Sequence, residues 1–146
     1  MIKKFEEFIN ESYTNSWLEQ LYKTSQDGER IISRILISKG KVNDGLYLFL
    51  TDGELQPEIY NRFDLIFNAS DFEDGDFKLK LNRIKNSLCC ITDFNRLDEY
   101  VFEQIAQESL TNTIVGFVNI NDDYDCDWFD DNLISTLSER ISVYRL

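Results

Sequence analysis

The sequence predicts an α/β fold: a single-domain sandwich on a mixed sheet, opened by a helix and a β-hairpin. Three observations carry this. The chain has 146 residues, 42% hydrophobic and 14% aromatic, which suits one domain with a proper core. Strand-like and helix-like apolar patterns alternate after residue 57. Asn43-Asp44-Gly45 is a hairpin turn signal between two apolar runs.

The elements follow in chain order. Residues 2–11 read as a short amphipathic helix, with Ile2, Phe5, Phe8 and Ile9 on one face. Ser16-Trp17-Leu18-Glu19 has the form of a capping box, so a fresh helix starts at Trp17 and runs to about Lys23. One continuous helix from Lys3 to Thr24 is the competing reading. Asp27-Gly28 marks a turn. Arg30 to Ser38, rich in Ile, reads as the first hairpin strand, and Leu46 to Leu50 as its return. Pro57, the only proline, suits a first helical turn. Leu65 to Phe67 is a short buried strand, and residues 71–76 form an acidic loop.

Residues 77–88 fit either period. Phe77, Leu79 and Leu81 alternate as in a strand, while Leu81, Ile84 and Leu88 fit a helix. Leu88 to Ile91 reads as a buried strand. Asn95 to Ser109 is a helix with Leu97, Val101 and Ile105 along one stripe. Ile114 to Ile120 is a strand, Asp130 to Arg140 a helix, and Ile141 to Tyr144 a last strand.

Composition excludes several functions. The chain has no histidine, which removes Ser-His-Asp and Cys-His catalysis and most zinc hydrolase sites. Net charge is −12, with a pI of about 4.3, so the chain repels nucleic acid and anionic membranes. A protein partner with a basic surface fits that charge. No apolar run nears the roughly 20 residues of a membrane span, and Glu6 and Glu7 interrupt any secretory signal. The expected location is the cytoplasm. Cys89, Cys90 and Cys126 show no framework spacing and read as free thiols. No Gly-rich phosphate loop is present, and no cofactor or metal is expected.

The most unusual segment holds Asp122, Asp123, Tyr124, Asp125, Asp127, Trp128, Phe129, Asp130 and Asp131. A calcium loop would use Asp123, Asp125 and Asp127, but Trp128 stands where such a loop needs Gly and Ile134 where it needs Glu. A binding patch would use the carboxylates for attraction and the aromatics as anchors, centred on Asp122, Asp123, Tyr124, Asp125, Asp127 and Trp128. A surface of this kind could imitate phosphates in a nucleic-acid-binding cleft, as an anti-defence inhibitor requires. The third reading is structural: Asp127, Asp130 and Asp131 would start the last helix, where negative charge is favourable.

An enzyme alternative rests on Asp64, Asp76 and Lys78, which have the order of a metal-dependent nuclease constellation. A basic run of Lys78, Lys80, Arg83 and Lys85 follows. Cys89 and Cys90, among apolar neighbours and with no histidine to activate them, read as buried inert thiols.

The opening residues carry one family resemblance. Lys3-Lys4-Phe5-Glu6-Glu7-Phe8-Ile9-Asn10-Glu11-Ser12 resembles the capsid-targeting leader of internal head proteins in T4-like phages. The resemblance covers residues 3–12 alone. It implies a head-maturation protease that recognises Ile9-Asn10-Glu11 and cuts before Ser12. It further implies a detachable leader, residues 1–11, ahead of a single acidic domain, residues 12–146. That family tends to be basic, and the acidic body departs from it. Without the resemblance, residues 2–11 remain an amphipathic helix that docks on a partner groove or on its own domain.

Together these readings describe a non-enzymatic acidic interaction protein, phage-encoded, that binds and modulates a host or phage protein. It would act in the host cytoplasm or travel inside the virion. A structural virion component is the alternative, and a nuclease-like enzyme the third reading.

Overall fold

A computed structural model describes residues 18–39, 43–53, 55–73, 75–85, 87–122 and 141–146. Residues 18–24 are helical (α1). They are followed by β1 (Gln26–Asp27), α2 (Glu29–Ile37), β2 (Gly45–Thr51), α3 (Pro57–Tyr60) and β3 (Leu65–Asn68). A 3-10 turn at Ala69–Phe72 leads into α4 (Phe77–Ile84) and β4 (Cys89–Thr92). A second 3-10 turn at Phe94–Arg96 precedes α5 (Glu99–Glu108), β5 (Thr113–Asn119) and β6 (Ile141–Arg145).

The strands form one sheet in the order β1-β6-β2-β5-β4-β3, and every pairing among them is parallel. This corrects two expectations. Residues 29–37 are a helix, so they cannot form the first strand of the expected β-hairpin, and the described sheet is parallel rather than mixed. The reason lies in the side-chain period. A strand would place Arg34 on one face with Ile32 and Leu36, and Ser33 on the other with Ile31 and Ile35. The helix instead buries Ile32, Ile35 and Leu36 together, at i, i+3 and i+4, and leaves Arg30, Ser33 and Arg34 to water. The isoleucine run favours a strand locally, but burial of one clean stripe outweighs that weak preference.

Elsewhere the local chemistry matches the elements. Pro57 occupies the first turn of α3. Asp98 caps α5, accepting from the Tyr100 amide at 2.8 Å. The ambiguous stretch after Phe77 resolves as helix through Ile84, burying Leu81 and Ile84. The expected helix from Trp17 is met by helix at residues 18–24. The leader, the choice between one and two opening helices, and the expected helix from Asp130 to Arg140 lie outside the described residues.

Helices cover both faces of the sheet. Alternation along β2 sends Leu46, Leu48 and Leu50 to one face, where they meet Leu18 of α1, Leu81 and Ile84 of α4, and Val101, Phe102 and Ile105 of α5. Phe49 points to the other face, with Cys90, Val115 and Phe117, and meets Ile32, Ile35 and Leu36 of α2. Burial of a sheet on both faces is what an all-parallel sheet requires.

Candidate functional site

The chain leaves β2 toward β3 at the far edge and returns stepwise through β4 to β5, and β6 then pairs on the opposite side of β2. The connections after β2 and β5 therefore run in opposite directions from neighbouring strands. Such a switch point opens a crevice at the carboxyl ends of the strands, where ligands bind in open α/β sheets. A cavity of about 350 Å³ lies there.

Alternation decides its lining. Thr51, Thr92 and Asn119 end β2, β4 and β5, two residues beyond Phe49, Cys90 and Phe117, so all three face the α3 side. They line the cavity with Asp93, Gly53, Leu55, Tyr60 and Phe117. Tyr60 meets Phe117 edge-on, with centroids 5.8 Å apart, and forms an aromatic wall. Gly53 holds φ at +110°, a backbone that only glycine adopts without strain, and its carbonyl accepts from the Thr51 hydroxyl at 2.9 Å.

Asp93 is held in the left-handed region, at φ 52° and ψ 41°. Asn68, at the end of β3, fixes it. The Asn68 side-chain amide donates to the Asp93 carboxylate at 2.8 Å and to the Thr92 hydroxyl at 3.0 Å, and its oxygen accepts from the Ser70 amide at 3.0 Å. Beyond Asp93, the Phe94 ring packs directly over Gly116 in β5. A Cβ at Gly116 would lie 2.7 Å from that ring and 2.7 Å from Leu48 Cδ2. The absent side chain of Gly116 thus lets the turn carrying Asp93 sit close on the sheet.

The next layer is charged. Asp122 follows β5, and Arg96 donates to both its oxygens, at 2.9 and 2.7 Å. Asn95 donates to Asp122 at 3.1 Å, while its own Oδ1 is buried without a hydrogen-bond partner among the described residues. Asn121 donates to the Asp52 carboxylate at 2.8 Å, tying the loops after β2 and β5 together.

The site residues expected from the sequence thus divide. Within the acidic-aromatic patch, Asp122 is described, and its largely buried carboxylate is engaged by Arg96 and Asn95 rather than presented to solvent. Asp123, Tyr124, Asp125, Asp127 and Trp128 lie outside the described residues, as do Ile9, Glu11 and Ser12. The nuclease constellation is drawn apart. Asp64 precedes β3 and accepts from the Leu88 amide at 3.0 Å, whereas Asp76 and Lys78 lie at the start of α4, which follows the other end of that strand. Among the described residues no three His, Cys, Asp or Glu side chains converge as metal ligands. Cys89 and Cys90 are fully buried. Burial pushes both thiols up, and that of Cys90 to about 12, so neither supplies a thiolate near neutral pH.

The crevice residues were missed, although a signal existed. Thr51-Asp52 and Thr92-Asp93 are the same dipeptide, each with its Thr closing an apolar strand. Only the strand order shows that the two ends converge.

Neither a family profile nor a solved structure matches the chain. It is similar to a protein of Acanthamoeba polyphaga mimivirus named as BTB/POZ domain-containing, at 29% identity over 99 residues, 67% of this chain. The match spans 17% of that protein's length. No described helix is long and apolar enough to cross a membrane.

Proposed function

We propose that this chain is a noncatalytic, phage-encoded interaction domain that binds and modulates a protein with a basic surface. The observation that carries the reading is charge. A net −12 on a folded domain attracts basic proteins over a long range and repels nucleic acid and anionic membranes. The crevice adds Asp93 and an aromatic wall, with no described lysine or arginine lining it. The buried, protonated thiols and the separated nuclease constellation favour binding over catalysis. The mimivirus relative, named as BTB/POZ domain-containing, is a viral protein, which supports a viral origin.

The partner is a host or phage protein, encountered in the host cytoplasm or after delivery from the virion. An anti-defence role suits an acidic protein that occupies a nucleic-acid-binding surface. The test is capture of partners from infected-cell lysate, followed by affinity measurement at two salt concentrations. The expected partner is basic and loses affinity steeply as salt rises. Salt-independent binding, or association with particles at fixed stoichiometry without any such partner, would overturn the reading in favour of a structural virion component. Delivery is tested separately, by intact mass on phage particles. A chain beginning at Ser12 is expected, and a full-length chain in the particle refutes the cleavable leader.

A further inference from the structure

We infer that the switch-point crevice is a socket for a guanidinium group, filled by one arginine side chain of the basic partner; this rests on the interaction reading above. Four features of the cavity carry it. Its size, about 350 Å³, accommodates a single side chain. Its wall is the Tyr60–Phe117 pair, in which Tyr60 is the partly exposed ring on which a planar guanidinium stacks. Among the described residues its charged lining residue is Asp93, whose carboxylate accepts from the Asn68 side chain at 2.8 Å. Its lining offers acceptor oxygens: the buried Thr51 hydroxyl, whose proton is directed to the Gly53 carbonyl, and the Asn119 side chain, whose Oδ1 also accepts from the Asn121 amide at 2.9 Å.

The same features disfavour other ligands. A phosphate would meet a carboxylate with no described cation lining the cavity. A divalent metal would find one carboxylate there and no three converging ligands among the described residues. Arginine is favoured over lysine because its planar fork donates to several fixed acceptors at once while its face lies on the aromatic wall. The left-handed backbone at Asp93 and the close seat of Phe94 on Gly116 hold the carboxylate ready before any partner arrives.

The experiment is an NMR titration of the full chain with the peptide acetyl-Gly-Arg-Gly-amide, alongside its citrulline and lysine counterparts. Amide shifts from the arginine peptide should cluster at Thr51, Thr92, Asp93 and Asn119. Its affinity should exceed that of the neutral citrulline peptide by about tenfold, and Asp93→Asn should remove about tenfold. Equal binding of citrulline, equal binding of lysine, or shifts centred elsewhere would each overturn the socket. Because the wild-type chain carries the peptide comparison, a poorly folded variant does not leave the question open. The two proposals separate cleanly. A basic partner bound with full salt dependence but unaffected by Asp93→Asn refutes the socket alone. A wild-type chain without salt-dependent partner binding refutes the interaction reading, while the peptide titration still judges the crevice.

Discussion

Gly116→Ala is the sharpest perturbation of the architecture that holds Asp93. The added Cβ would lie 2.7 Å from both Leu48 Cδ2 and a Phe94 ring carbon, and 3.0 Å from a second carbon of that ring. Both neighbours are fully buried, so neither has open space to move into. Overpacking of this kind costs about 1–3 kcal/mol. Alanine regains roughly 0.5–1 kcal/mol over glycine in strand conformation. The net expectation is a loss of up to about 2.5 kcal/mol, centred on about 1, which for a chain of this size lowers Tm by roughly 3–4 °C at the centre. Thermal and urea denaturation followed by circular dichroism measure it directly. The relief should come from Phe94 lifting off the sheet, because Leu48 is locked between β5 and β6. Amide shifts at Asp93 and Asn95 should therefore exceed those at Leu48. A variant as stable as the parent, with unmoved shifts after the β4 strand, would refute the argument that Gly116 seats this turn.

Three further outcomes follow from the same geometry. Cys90 keeps its proton to about pH 12 when folded, against an ordinary value of 9.0. The native state then binds more protons than the unfolded chain between these values. Stability should fall as pH rises above 9, by up to about 1.4 kcal/mol per pH unit for this thiol, and Cys90→Ala should flatten the slope in alkaline denaturation series. Asp122→Asn should cost about 1–2 kcal/mol in urea unfolding, because it leaves Arg96 and Asn95 without their charged acceptor while half-exposed Arg96 recovers water. An unchanged midpoint would mean that the pair contributes nothing. Asn68→Ala should release both Thr92 and Asp93, broaden the Asp93 amide resonance and lower unfolding stability by about 1–2 kcal/mol; a sharp, unshifted resonance would contradict its bracing role.

The legibility of the fold varied with the kind of signal. Leu88 to Ile91 was readable as a buried strand and Ile114 to Ile120 as a strand because a parallel sheet covered on both faces demands unbroken apolar runs. Asn95 to Ser109 was readable as a helix from its stripe. Its boundary moved to Asp98 because that side chain caps the helix and leaves Phe94–Arg96 as a separate turn. Residues 29–37 misled because two signals conflict there. The β-branched isoleucines favour a strand, whereas the polar positions Arg30, Ser33 and Arg34 fall on one helical face. The wrong choice then propagated, since a hairpin imposes an antiparallel pair and a mixed sheet.

The sequence by itself determined the class of the fold, the inert thiols and the exclusion of histidine chemistry, because these depend on residue types and local period. Tertiary structure alone decided the parallel order of the strands and the crevice that order creates. Thr51, Asp93 and Asn119 are scattered over 69 positions, and no local pattern states that β2, β4 and β5 end side by side. It also decided what Asp122 does. In the sequence it heads an acidic run, and in the fold Arg96, 26 positions earlier, closes on it. Charge is a property of composition, but which charges are available to a partner depends on which ones the folded chain has already paired.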